Sequence, residues 1–175
     1  YSSLSDFAAL EFIINGQNNM FLNIQSSQGD AKFGEIINLF RNHNSTKILS
    51  FDMSQMPDTA MTAMVIAAFM PFKTEITGLA TLKDKECNRL QAMQAEFAKM
   101  HIKTEISQHF DSIIIYGNNN LSLQTPVEIE TYEDHRIAMC FGVLGAITGN
   151  IVIKNPDVVS KSFINFWQVF DSLYV

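Results

Sequence analysis

Thr131-Tyr132-Glu133-Asp134-His135-Arg136-Ile137-Ala138-Met139 reads as the entrance to a helix. Apolar residues follow at Ile137, Cys140, Phe141 and Leu144, the spacing of one buried face. Glu133 or Asp134 supplies the N-cap, because a carboxylate there accepts the unpaired backbone N–H groups of the first turn. His135 and Arg136 run against the helix dipole. A helix N-terminus carries about half a positive charge, so a cation in the first turn costs roughly 0.3–1 kcal/mol unless something offsets it. Either of two partners offsets it: an anionic ligand held by the backbone N–H groups and Arg136 together, or Asp134 or Glu133 acting alone.

Working outward, the same pattern recurs. Toward the C-terminus, 151–153 reads as a strand, Pro156 marks a turn, and 163–173 closes the chain as a helix around Trp167 and Phe170. A middle pass begins at Met56-Pro57-Asp58, where Pro57 suits the first helical position because it has no N–H to leave unpaired. The helix over 61–70 is apolar nearly all round, so it is expected to be deeply buried, and its methionines are core. A strand ends over 75–78, a longer helix is predicted over 85–100, and 102–106 and 112–116 form two antiparallel strands. The first pass has a helix over 3–14, a strand over 20–24, a turn at Gln28-Gly29-Asp30, an amphipathic helix through Phe33, Ile36, Ile37 and Phe40, and a strand over 47–51. Asp6-x-Ala8, Asp58-x-Ala60 and Arg136-x-Ala138 stand at equivalent helix starts, and an isoleucine and then a lysine follow each at similar distances. We read three copies of a helix–strand–helix–strand unit in an α/β fold. Such copies turn their leading helix ends to one face, where Asp58, Lys85, Glu86, Arg89, His135, Arg136 and Lys161 converge.

Composition bounds the rest. The 175 residues suffice for one domain with a substantial core, at 47% hydrophobic and 17% charged. A net charge of −6 excludes a general nucleic-acid footprint, so anion binding has to come from a local cluster. The longest apolar run, 137–153, is broken by three glycines and Asn150, which argues against a membrane span. No cationic-then-apolar leader is present, and two widely spaced cysteines, Cys87 and Cys140, suit a reducing, cytoplasmic compartment. The start at Tyr1, directly in a helical pattern, suggests a piece of a longer protein. His43, His101 and His109 lack metal-ligand spacing. Cys87 near a helix start is taken as an inert thiol.

Lys85 and Arg89 are expected on one helix face with Glu86 beside them. A solvated Glu–Arg pair is the plain alternative there, as an ordinary acidic first turn is for Asp58 and an ordinary surface lysine is for Lys161. Taken together, at least four cations and two carboxylates suit a doubly anionic substrate with acid/base chemistry beside it.

Four elements carry a resemblance: Met56-Pro57-Asp58-Thr59-Ala60-Met61, Lys85-Glu86-Cys87-Asn88-Arg89, Asp134-His135-Arg136-Ile137-Ala138-Met139 and Ser160-Lys161-Ser162-Phe163. In order and spacing the chain resembles the C-terminal portion of the 5-enolpyruvylshikimate-3-phosphate synthase family. The resemblance implies that residues 1–175 are a single domain, most of the C-terminal domain of a two-domain enzyme shaped as an inside-out α/β barrel of repeated βαβαββ units. It implies transfer of the enolpyruvyl group of phosphoenolpyruvate to the 5-hydroxyl of shikimate 3-phosphate with release of phosphate, no metal or organic cofactor, competition by glyphosate, and a monomeric whole enzyme. By the same resemblance Asp58 accepts the hydroxyl proton, Glu86 handles the proton at the phosphoenolpyruvate methylene, and Lys85 bridges both substrates. Arg89 and Arg136 grip the carboxylate of phosphoenolpyruvate, Lys161 neutralises the transferred group's phosphate, and His135 orients its neighbours. The family usually has Asp at Asn88, Asn or Glu at Thr81, and often Asn at Glu133. The first departure removes an ion pair, and the second alters a contact of Thr81 to the shikimate hydroxyls. The missing N-terminal domain supplies the remaining charges, so the fragment alone is expected to be inactive. A non-catalytic binding domain of the same fold, and an RNA 3′-phosphate cyclase-like protein, are the alternatives; the acidic net charge counts against the second.

Overall fold

The computed structural model describes residues 4–15, 32–44 and 46–172. The strand expected over 20–24 and the turn at 28–30 lie outside the described residues. Three helices form the middle of the structure: α1 (Leu4–Asn15), α3 (Ala60–Ala68) and α5 (His135–Thr148) all pack against one another. All residues of α3 are buried, as its uncharged Ala60-Met61-Thr62-Ala63-Met64-Val65-Ile66-Ala67-Ala68 sequence requires. Alanines let its neighbours approach closely, and the flexible methionines fill the gaps between them. Around this trio, α2 (Phe33–Asn42) turns Phe33, Ile36, Ile37 and Phe40 inward, one amphipathic stripe.

A four-stranded sheet covers α3. Its order is β1 (Leu49–Asp52), β2 (Lys73–Thr77), β4 (Ser112–Tyr116), β3 (Thr104–Ile106), with β1 and β2 parallel and the other neighbours antiparallel. The parallel β1–β2 pair needs a crossover, and α3 is that crossover. Alternate residues point to the core, so Ile76, Ile113 and Ile115 are buried. Gly78, at φ +77°, leaves β2 where an added Cβ would strike Asp52 Oδ1 and the backbone of Ser54. Only glycine lets this exit lie against the loop that carries the chain to residue 58. A second, two-stranded parallel sheet joins β5 (Val127–Ile129) and β6 (Ile151–Ile153) through α5.

Several expectations are corrected. The helix predicted over 85–100 is α4 (Arg89–Lys99); residues 85–88 lead into it, with Lys85 extended at φ −92°, ψ −158°. The cause is Asn88, whose side chain accepts the Gln91 N–H at 3.2 Å and caps the helix there. β5 went unread because three residues between Pro126 and Glu130 are too few to display an alternation. The closing helix is the short α6 (Phe166–Asp171), preceded by a tight helical segment, Pro156–Lys161. Phe7, Phe163, Phe166, Trp167 and Phe170 form a linked aromatic cluster that ties α6 to α1. Among the described residues no helix is long and apolar enough to cross a membrane.

Candidate active site

Three leading turns meet at one place. The first is the tight turn Pro57–Thr59 ahead of α3, fixed by Pro57 at its start and by Thr59 Oγ1 donating to the Met56 carbonyl at 2.9 Å. It holds Asp58 at the surface. The second is the start of α4, which carries Arg89. The third is the start of α5, which carries His135 and Arg136.

Arg89 is the joint between them. Its side chain is only 2% exposed, and its donors fan out to three carboxylates. Nε donates to Asp134 Oδ2 at 2.7 Å, Nη2 to Asp134 Oδ1 at 3.3 Å and to Glu86 Oε2 at 2.7 Å, and Nη1 to Asp58 Oδ1 at 3.0 Å. A planar fork suits such a triple grip, and an ammonium does not. Lys85 reaches the same Asp58 Oδ1 at 3.2 Å. Lys85 and Arg89 thus do meet, through Asp58 rather than through a shared helix face. The Glu86–Arg89 pair is present too, but with a buried arginine rather than on a solvated turn.

Asp134 is the N-cap of α5. Its Oδ1 accepts the Arg136 N–H at 2.9 Å, while Oδ2 holds Arg89. The residues before it are strained: Tyr132 and Glu133 have φ of +53° and +57°, conformations that side chains other than glycine and asparagine rarely take. Side-chain contacts hold them, Asn155 Nδ2 donating to Glu133 Oε1 at 3.2 Å among them. Tyr132 Oη donates to Glu96 Oε1 at 2.7 Å, and Lys161 Nζ donates to the Glu133 carbonyl at 2.8 Å. Glu96, fully buried in α4, also receives Lys99 Nζ at 2.6 Å and the Glu130 N–H at 3.2 Å. The Arg136 guanidinium reaches across to the first turn, donating to the Asp58 carbonyl at 3.1 Å and lying 3.7 Å from Asp58 Oδ2.

This crowding sets the proton affinities. Burial opposes the Asp58 charge, but Arg136, Lys85 and Arg89 outweigh it and hold its carboxyl below the ordinary value. Burial, helped by Arg136, lowers the affinity of His135 for a proton. His135 Nδ1 lies 4.0 Å from both Glu86 Oε1 and Asp134 Oδ1 and has no hydrogen-bond partner among the described residues. Burial, and then Asp134, push the Cys87 thiol up to about 12, which makes it a poor nucleophile. Glu86, Asp134 and His135 could converge on a metal ion, with their ligand atoms within 4.8 Å of one another. Arg89 already supplies the positive charge at two of those three side chains.

Asp58, Lys85, Glu86, Arg89, His135 and Arg136 therefore share one wall. Lys161 stands at its rim, on Glu133. Thr81 is exposed on the turn Ala80–Asp84 and, among the described residues, makes no side-chain hydrogen bond to the cluster.

Residues 13–170 match the family model described as EPSP synthase (3-phosphoshikimate 1-carboxyvinyltransferase). The chain belongs to the EPSP synthase family. A 3-phosphoshikimate 1-carboxyvinyltransferase of Rhizobium etli (strain CIAT 652) is 35% identical over 169 residues, covering 95% of this chain and 39% of that protein. The pentafunctional AROM polypeptide of Yarrowia lipolytica is 35% identical over 129 residues, 73% of this chain and 8% of its own length. The 2.37 Å structure of EPSP synthase from Acinetobacter baumannii superposes with a TM-score of 0.58 at 30% identity, over 71% of this chain and 30% of that one. The chain thus spans well under half the length of these EPSP synthase relatives.

Sequence reading missed Asp134 as the partner of Arg89 and Glu96 as an anchor of the 131–134 loop. From the sequence Asp134 is a cap or a partner of the neighbouring Arg136, and no local rule connects it to Arg89, 45 residues away. Nothing in the sequence links Tyr132 to Glu96, which lie 36 residues apart.

Proposed function

We propose that residues 1–175 are most of the C-terminal domain of a two-domain EPSP synthase, built from three βαβαββ-type units of an inside-out α/β barrel. The whole enzyme, a cytoplasmic monomer in this reading, transfers the enolpyruvyl group of phosphoenolpyruvate to the 5-hydroxyl of shikimate 3-phosphate and releases phosphate. One observation carries the proposal: Asp58, Glu86 and three cations, Lys85, Arg89 and Arg136, meet on one wall through ion pairs of 2.7–3.7 Å.

In this reading Asp58 takes the proton of the attacking hydroxyl. Its carboxyl is held ionised by the surrounding cations, and incoming anions that neutralise those cations raise its basicity when the proton must move. Glu86, 40% exposed, delivers a proton to the phosphoenolpyruvate methylene. Arg136 and Arg89 hold the phosphoenolpyruvate carboxylate, Lys85 spans the two substrates, and Thr81 borders the shikimate ring. Lys161 answers the phosphate from the rim, and His135, kept neutral by burial, orients Glu86. The N-terminal domain completes the charge cage, so this portion alone does not turn over. The experiment is to join it to the N-terminal domain of the Rhizobium etli relative and assay phosphate release with both substrates. Arg136→Lys should then cut kcat/KM by about tenfold or more, because a single ammonium cannot pair both carboxylate oxygens. A loss of under about threefold overturns the role of Arg136.

A further inference from the structure

Tyr132 and Glu133 take left-handed conformations one after the other, immediately before the cap of α5. Neither is a glycine or an asparagine, so the chain leaves this shape unless its surroundings impose it. Leaving it would swing Asp134, which fixes the entrance of α5 by taking the Arg136 N–H on Oδ1 and Arg89 on Oδ2. The turn is closed by the Asp134 N–H donating to the Thr131 carbonyl at 2.9 Å. Side chains brace it from two directions. From one come Lys161 and Asn155, both bound to Glu133. Lys161 is half exposed, and in the reading proposed above it answers the phosphate, so an arriving substrate draws it off the Glu133 carbonyl. From the other comes Glu96, fully buried in α4. Its Oε1 accepts from Tyr132 Oη at 2.7 Å, and its Oε2 accepts from Lys99 Nζ at 2.6 Å and from the Glu130 N–H at 3.2 Å. Glu96 follows Arg89 by seven residues, which puts both on one face of α4. This helix therefore grips the approach to α5 at two points, Arg89 on Asp134 and Glu96 on Tyr132 and the Glu130 N–H. The second grip uses none of the wall's charged groups, so an anion does not compete for it.

We propose that Glu96 and the Tyr132 hydroxyl are positioning residues for Arg136: their hydrogen bond holds the left-handed turn at 132–133, so that Arg136 stays aimed at the phosphoenolpyruvate carboxylate after Lys161 has turned to the phosphate. This rests on the anion-holding role of Arg136 proposed above. The brace acts on where the first turn of α5 begins and leaves the contacts of Arg136 with Asp58 as they are. A buried carboxylate suits the task because no water competes for its oxygens. A phenol suits it as the arm, since only two side-chain rotations separate the backbone from the hydroxyl. Lys99 has a different part. It neutralises Glu96 and donates to the Glu128 carbonyl in β5 at 2.9 Å, and so steadies the strand rather than the turn.

The test sets Tyr132→Phe against Lys99→Met in the two-domain enzyme made with the Rhizobium etli N-terminal domain. Each variant takes one donor from Glu96, so each loses stability, but only Tyr132→Phe releases the turn. Lost stability lowers the folded fraction, hence the apparent kcat, and leaves both KM values alone. A displaced Arg136 raises KM for phosphoenolpyruvate and not for shikimate 3-phosphate. The expected result for Tyr132→Phe is a KM for phosphoenolpyruvate raised about tenfold, with that for shikimate 3-phosphate within about twofold of wild type. Lys99→Met should leave both within about twofold. In the 175-residue chain, hydrogen exchange followed by NMR should find the Arg136 N–H about tenfold faster in Tyr132→Phe than in Lys99→Met, each taken relative to the amides of α3. If Arg136→Lys raises KM for phosphoenolpyruvate but Tyr132→Phe does not, or if Lys99→Met raises it as much, the inference is overturned and the Arg136 role survives. If Arg136→Lys leaves that KM unchanged, the Arg136 role fails first. Should the joined enzyme not turn over, equal exchange of the Arg136 N–H in the two variants overturns the inference in the chain alone.

Discussion

Replacing Arg89 with methionine tests the structural centre of the site. Arg89 and Asp134 have side-chain exposures of 2% and 0%, so neither charge is shared with solvent. The partners on the other side of the guanidinium, Asp58 and Glu86, are 36% and 40% exposed, and water can replace what they lose. Exposed pairs contribute roughly 0–1 kcal/mol each, whereas breaking a buried pair costs about 3–5 kcal/mol because the other charge stays behind. Arg89→Met should therefore destabilise the fold by about 4 kcal/mol, nearly all of it through Asp134. For a chain of this size that lowers Tm by roughly 8–16 °C. Asp134→Asn removes the charge but keeps an oxygen to cap α5 at the Arg136 N–H, so the double variant has a neutral pair where Arg89→Met alone leaves a buried carboxylate unpaired. The double variant should be more stable than the sum of the single losses by at least about 2 kcal/mol. Urea unfolding followed by circular dichroism gives all four stabilities of the cycle. A cost for Arg89→Met below about 1 kcal/mol, or losses that add within about 0.5 kcal/mol, would refute the buried-pair reasoning.

Asp6 makes stability depend on pH. Its folded pKa of about 6 lies above the ordinary 3.8, so its stabilising contribution is whole below pH 3.8 and is lost as pH rises through 6. That loss amounts to about 3 kcal/mol, so Asp6→Asn should stabilise the chain by up to that amount at neutral pH and by little near pH 4; equal urea midpoint shifts at the two pH values would contradict it. Tyr132→Phe removes one of the donors to the buried Glu96 and loosens the left-handed turn before α5, at a cost of roughly 1–3 kcal/mol. A Tm lowered by less than about 2 °C would mean that the 131–134 turn holds without it.

How much of this the sequence disclosed follows from the range of each interaction. Local rules were enough for α2, whose four inward residues keep helical spacing, and for α3, which has no polar face to turn outward. The cap of α5 was narrowed to two residues, and Asp134 fills it. Local rules misjudged the start of α4, because Asn88 competes for the helix as a cap while Lys85 and Glu86 have charge patterns that a first turn would also accept. The gathering of Asp58, Glu86, Arg89 and Arg136 was legible only through the similarity of helix starts, since pairs such as Arg136 with Asp58 span 78 residues. The same similarity marks Asp6, which shares its register with Asp58 and Arg136. It was passed over because a carboxylate in a first turn has an ordinary explanation.

The counting of charges is where structure changes the chemistry most. Read from sequence, the wall has an excess of cations waiting for an anionic substrate. In the folded chain Asp134 joins the carboxylates and Lys161 turns to Glu133, which leaves Lys85, Arg89 and Arg136 facing Asp58, Glu86 and Asp134. His135, with its proton affinity lowered, does not tip that balance. An arriving anion consequently has to draw Arg89 or Arg136 away from a carboxylate it already holds. Each such exchange returns only the difference between two charge pairs, not the energy of one. Affinity must then come from cations that this wall does not hold. In the two-domain reading proposed above, the other domain supplies those cations and the Arg89 joint stays intact.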